Sequence, residues 1–177
     1  IVATGGCSYP STGSTGDGHR FASETGQEVT ECFPALVPFV SPDAWCPALQ
    51  GLALKNVNVA IYDGKKKLYE EFGEMLFTHF GVSGPAILSG SSVAAKKIRK
   101  KHLTLSIYLK PSLAREQLDR RILKDFESGK NRQFRNALSD LYPAKLIPVM
   151  VERSQIPPEK RVNDITREER ENLISLT

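Results

Sequence analysis

The stretch IVATGGCSYPSTGSTGDG places five glycines within eighteen residues, directly after an apolar pair. A strand that ends in glycines lets a ligand approach the main chain, because no Cβ stands in the way. N–H groups exposed there bind phosphate, above all where a helix N-terminus follows. Read from these residues alone, the alternative is an ordinary glycine turn after a strand. GSTGDG lacks the Gly-Lys-Ser/Thr end of a nucleotide-hydrolysing loop and does not spell GxGxxG. GVSGP (Gly81 to Pro85) approaches the GxSxG nucleophile elbow, but Pro85 replaces the last glycine. Ser83 therefore reads as a helix cap rather than a nucleophile. His79, in FTHFGVSGP, lies between aromatic residues and just before a helix start. Those surroundings suit a proton-transfer group; the competing reading is a packed core histidine, and Glu74 is open to the same two readings. His19, beside Asp17, and His102, after a basic run, read as surface residues. Cys7, Cys32 and Cys46 form no CxxC pair, which argues against zinc. They read as buried or half-buried free thiols of a reducing cytoplasm.

The elements that must position these residues follow from periodicity. IVATGG predicts the end of a buried strand, and DGHRFASETG a short helix with Asp17 as cap, Phe21 and Ala22 inward, and Gly26 as its stop. EVTECF alternates like a strand. LKNVNVAIYDGKKKLYEEFGEMLFT predicts two strands joined at Asp63-Gly64, with Val57, Val59 and Ile61 on one face. A helix started by Ser83 follows, then the alternating strand HLTLSIYLKP. After Pro111 the pattern turns helical. Ser112 and Gly129 bound one helix, and NRQFRNALSDL, PAKLIPVMVERSQI and TREERENLISLT suggest three more, the last with a Thr166/Glu169 capping box. The fold class expected is α+β: a small β-barrel with an appended short-helix subdomain.

Charge narrows the partners. Residues 1–60 carry net −3 and residues 61–177 net +7, concentrated in Lys65–Lys67 and Lys96–Lys101. Without interleaved aromatics or a reading helix, these runs read as a solvated face, and no nucleic-acid partner is expected. The rival to an enzyme is a non-enzymatic binding module that uses this basic surface for nucleic acid or a protein partner. No apolar run reaches the roughly 20 residues of a membrane span, and no secretory leader is visible.

Two long stretches, IVATGGCSYPSTGSTGDGHRFA…PALVPFV and FGEMLFTHFGVSGPAILSGS, closely resemble a bacterial flavoprotein family. Its members are known as NAD(FAD)-utilising dehydrogenases and include aminoacetone-oxidase-like and BaiN-like proteins. In that family an α/β FAD-binding domain is interrupted by an insert of β-barrel and helices. The resemblance implies that residues 1–34 are the tail of the discontinuous FAD-binding domain, 35–111 the barrel and 112–177 the helical part of the insert. It implies FAD contacts at Ala3, Thr4, Gly5 and Gly6 and along the following loop at Ser8, Thr12, Gly13, Gly16 and Gly18. Flavin-dependent redox is the implied activity, with NAD(P)H as a candidate electron donor and the remaining FAD-domain segments of the same parent chain as partners. The GxGxxG segment and its acidic ribose partner are absent from this sequence. The chain is therefore expected to be an inactive piece that retains no FAD. THFGVSGP is expected to face the cofactor, with Gly81 and Gly84 allowing close approach and His79 as the catalytic residue.

Overall fold

A computed structural model describes residues 1–177, which divide into two compact units, 1–33 and 34–177. The first unit has no buried side chain. Ile1 and Val2 are exposed and pair with no strand, and EVTECF is likewise unpaired. Both segments were expected as strands; within residues 1–33 neither finds the ladder partner that an extended segment requires. Helix α1 (Asp17–Glu24) does form, capped by Gly16 rather than Asp17, which falls in its first turn. At its end, the N–H of Gln27 donates to Ala22 O (2.9 Å) and that of Gly26 to Ser23 O (3.0 Å). Gly26 (φ 81°) supplies the left-handed residue that this closure needs. Phe21 points outward, against expectation, with the Arg20 guanidinium 4.8 Å over its ring.

In residues 34–177, β1 (Phe39–Val40) and the short helix α2 (Trp45–Ala48) lead to the hairpin β2 (Ala53–Asp63) and β3 (Lys66–Phe77). Then follow β4 (Gly81–Ser83), α3 (Pro85–Ile98) and β5 (Thr104–Tyr108). The strands form one curled antiparallel sheet in the order β1-β4-β3-β2-β5, an α+β architecture with a half-barrel. Val57, Val59 and Ile61 are buried on its concave face, and Gly64 (φ 58°) makes the hairpin turn. Helix α3 lies close against that face. A Cβ on Gly90 would stand 2.8 Å from Ile61 Cδ1 and 2.9 Å from the Tyr69 ring. The cap of α3 is Gly84, not Ser83, which belongs to β4.

Three helices complete the unit: α4 (Arg115–Ser128), α5 (Ile147–Ser154) and α6 (Arg167–Leu176). Ala114, not Ser112, caps α4, its N–H donating to Gln117 Oε1 at 2.9 Å, and Gly129 ends it. NRQFRNALSDL yields only a single 3-10 turn at Phe134–Asn136. The N–H groups of Phe134 and Arg135 are taken by Lys160 O and Pro158 O of the crossing chain, so no helix propagates. The capping box of α6 is present: Glu169 N donates to Thr166 Oγ1 (3.2 Å) and Thr166 N to Glu169 Oε2 (2.7 Å). One hydrophobic core runs from Leu54 and Val57 under the sheet to Ile122, Phe134 and Leu173 among the helices. No helix is long and apolar enough to cross a membrane.

Tyr142 sits in this core, 3% exposed, its hydroxyl 2.5 Å from Thr177 Oγ1. Burial pushes its phenol up to about 12. The unfolded phenol titrates near 10, so the folded state favours the neutral form. That contribution is fully present below about pH 10 and is lost as pH rises toward 12, an effect of about 2–3 kcal/mol. Tyr142→Phe is expected to show a smaller alkaline loss of stability than the parent. Urea midpoints at about pH 9 and about pH 11.5 compare the two proteins directly.

Candidate functional site

In the first unit the glycine loop separates into two kinds of position. Gly5, Gly16 and Gly18 serve the loop's own packing: a Cβ there would meet Ser14 Oγ at 2.7 Å, Cys7 Sγ at 3.2 Å or Thr4 Oγ1 at 2.9 Å. Gly6 and Gly13 have nothing within 4 Å and present bare main chain to solvent. A 3-10 turn at Pro10–Thr12 shapes the segment between them, and the Thr12 hydroxyl donates to Tyr9 O at 2.7 Å. Ala3 and Ser8 are exposed and Thr4 half-buried. Gly6 and Gly13 therefore fit the approach of a dinucleotide, while the Thr12 hydroxyl already donates within the loop. Cys7 and Cys32 both approach His19, with sulfur to Nδ1 distances of 3.6 and 3.9 Å. Both thiols are exposed, unlike the buried or half-buried cysteines expected; Cys46 alone is buried, and burial raises its pKa.

In the second unit, His79 occupies the turn between β3 and β4 and is exposed, its ring edge-on to Phe80 at 4.8 Å. It is not a packed core histidine. The Thr78 hydroxyl beside it is buried without a hydrogen-bond partner. Gly81 and Gly84 do not leave the space expected of them. A Cβ on Gly81 (φ 156°) would lie 2.2 Å from Phe39 O, and one on Gly84 (φ 98°) 2.8 Å from Met75 Cα. Their close approach is to the chain's own strands. Glu74 is exposed on β3, 3.9 Å from Lys55 Nζ.

Two cavities flank the sheet. A cleft of about 360 Å³ opens between the edge strands, lined by Phe39 and Val40 of β1, Leu105 and Ile107 of β5, and Ile61, with Asp43 and His102 among its polar residues. On the convex side, a groove of about 500 Å³ passes Asn58, Tyr108, Lys110 and Arg115. Sequence reasoning missed Asp63 as more than a turn residue. Its carboxylate receives Lys101 Nζ at 2.7 Å and Lys97 Nζ at 3.4 Å, which holds it below the usual carboxylate range. An acidic residue beside one basic run and thirty-odd positions before another was the available signal.

Comparison with known proteins places this geometry. Residues 33–176 match the model of the HI0933-like protein barrel and H2TH domain. The chain is 29% identical over 172 residues to a ribosomal RNA dihydrouridine synthase of Haemophilus influenzae, covering 92% of the chain and 38% of the relative. It is 30% identical over 157 residues to the protein of that name from Escherichia coli, covering 89% and 37%. It is 26% identical over 175 residues to a 3-dehydro-bile acid delta(4,6)-reductase of Clostridium scindens, covering 98% and 42%. The chain thus spans about two fifths of the length of these curated relatives. With the barrel, the helices and the family match in agreement, the chain belongs to the HI0933-like family of flavoproteins.

Proposed function

We propose that this chain is part of an FAD-dependent reductase that saturates a carbonyl-conjugated carbon–carbon double bond, with uridine in ribosomal RNA as substrate. The observation that carries the reading is the chemistry shared by the relatives' names. A dihydrouridine is a uridine whose ring double bond has been reduced, and a delta(4,6)-reductase also removes carbon–carbon unsaturation. Such a reduction adds a hydride to one carbon and a proton to its neighbour. The flavin, when bound, supplies the hydride, with NAD(P)H as its electron source. Gly6 and Gly13 open the main chain toward the dinucleotide, and the remaining FAD-domain segments of the parent chain supply the other contacts. A ribosomal substrate also suits the cytoplasmic location expected from the thiols.

His79 is the proton donor in this reading: it is solvent-accessible and carries an imidazole, a side chain suited to general acid–base work. In the full-length protein, His79→Gln is expected to keep the flavin while turnover falls at least about tenfold, or about 1.4 kcal/mol in the barrier. Dihydrouridine in ribosomal RNA, quantified by mass spectrometry after incubation with FAD and NADPH, is the measurement. No dihydrouridine from the flavin-loaded parent refutes the substrate, and unchanged turnover in the variant removes His79 from the chemistry. A second reading, an apolar polycyclic enone as substrate, draws support from the apolar cleft between β1 and β5. Consumption of a steroid enone by the same preparation would favour it.

A further inference from the structure

Pairing across three strands organises the convex face of the sheet into rows. Asn58 of β2 lies opposite Phe72 of β3 and Tyr108 of β5; Ala60 lies opposite Glu70 and Ser106; Tyr62 lies opposite Lys67 and Thr104. Directly opposed residues share a face, so Phe72, Tyr62 and Tyr108 stand together on the side away from the core. Phe72 is 61% exposed and Tyr108 41%. The small residues Ala60 and Ser106 leave room for the two tyrosines to converge over the middle row. Their hydroxyls are 3.0 Å apart, and Ala60 is fully buried. Asn58 Nδ2 donates to Glu70 Oε1 at 2.6 Å, and Lys67 pairs with the same carboxylate. Aromatic residues grouped on the exposed side of a sheet mark an interaction site.

Cations surround this platform. The Asp63 contacts with Lys97 and Lys101 bring the end of α3 against the β2–β3 hairpin, so the two basic runs of the sequence meet at one end of the sheet. Residues 63–70 and 96–101 carry eight cationic side chains against two carboxylates, Asp63 and Glu70, with which Lys67, Lys97 and Lys101 pair. At the other end, the convex groove runs from Asn58 and Tyr108 to Lys110 and Arg115. Sequence reasoning discounted nucleic acid because the basic runs lacked interleaved aromatics. Strand pairing supplies them.

We propose that this convex face, with Phe72, Tyr62 and Tyr108 as stacking surfaces and the converging lysine runs as phosphate contacts, docks unpaired RNA. The inference rests on the RNA-substrate reading above and adds where and how the RNA is held. Bases stack on exposed aromatic rings with little sequence preference, and lysines follow the backbone. Asn58, between the aromatic positions, donates from Nδ2 to Glu70 Oε1, so only the rest of its amide is available to base edges. An anionic membrane would draw on the lysines but not on an aromatic row set in a sheet with its tyrosine hydroxyls paired.

The test uses the 177-residue chain and a short fluorescein-labelled RNA hairpin with a uridine-rich loop, read by fluorescence anisotropy. Phe72→Ala and Tyr108→Ala are each expected to weaken binding about tenfold. Lys65→Gln with Lys66→Gln is expected to weaken it and to lower the salt slope by about one per contacting lysine. Circular dichroism melts verify that the variants fold, and Phe72, already exposed, carries the test if Tyr108→Ala does not. RNA affinity unchanged in the aromatic variants overturns the proposal. So does equal binding to phosphatidylserine vesicles or to polyglutamate, because the face would then be a general anion binder or a protein-docking surface. The full-length protein separates the two readings. If it binds RNA through this face but forms no dihydrouridine, the reductase reading fails alone. If it forms dihydrouridine equally well with Phe72→Ala, the docking proposal fails alone.

Discussion

Gly81→Ala is expected to open the corner where β4 meets β1 and to cost about 3 kcal/mol or more. The added Cβ would lie 2.2 Å from Phe39 O, 2.7 Å from Ser41 N and 3.1 Å from Val40 C. All three are backbone atoms, so no side-chain rotation relieves the overlap. β1 has only two residues, and both pair with β4, Val40 opposite Gly81 itself. The strand therefore has no second attachment in the sheet to hold it while β4 shifts. A fall in Tm of roughly 6–12 °C is the expected reading for a unit of this size. Gly64→Ala is the control: its φ of 58° is left-handed but nothing lies within 4 Å, so the cost is only the backbone term of about 1 kcal/mol. Equal melting temperatures for the two variants would mean that the β1–β4 contact contributes nothing to stability.

Phe134→Ala is expected to be as severe, about 3–5 kcal/mol. The side chain is fully buried, edge-on to Phe126 with ring centroids 6.5 Å apart. The more informative outcome is which parts unfold with it. Phe134 lies among the helices, whereas Trp45, the sole tryptophan, packs edge-on to Phe77 of β3 at 5.9 Å. The Arg153 guanidinium of α5 stands 5.1 Å over the Trp45 ring, and Lys145 donates to Gln50 O, so the helices grip the strand layer at two points. With one continuous core, tryptophan fluorescence and far-ultraviolet circular dichroism should report the same lowered midpoint. Two separated transitions would show that strands and helices fold independently.

Local signals in the sequence were readable wherever a few neighbouring residues determine the geometry. Asp63-Gly64 makes the hairpin turn, Gly26 closes α1, and Thr166 with Glu169 caps α6, each through bonds that span at most five residues. Gly81 and Gly84 show where such reading stops. A glycine that admits a ligand and a glycine that admits another strand look identical until the tertiary neighbour is known. The aromatic platform was hidden for a related reason. Alternation placed Val57, Val59 and Ile61 on one face, but register shifts between Leu54 and Val57 and between Ile61 and Tyr62 decide which residues oppose them. A slip of one residue would have sent the partners to the other face. Of the candidate site, the glycine loop was visible as composition, but the division between packed Gly5, Gly16 and Gly18 and open Gly6 and Gly13 depends on where Ser14, Cys7 and Thr4 fold back.

The seat of α3 on the sheet carries a consequence for descent. Gly90 meets only the outer ends of two side chains, Ile61 Cδ1 and the Tyr69 ring, rather than backbone. A larger residue at 90 is therefore tolerable only when both neighbours yield, because trimming Ile61 alone leaves the Tyr69 ring 2.9 Å from the new Cβ. Positions 90, 61 and 69 are thus coupled in volume: a larger helix residue requires a compensating loss or displacement on both β2 and β3. The hairpin turn at Gly64, with no such neighbour, is under no comparable constraint of volume and is free to drift wherever a left-handed backbone is retained.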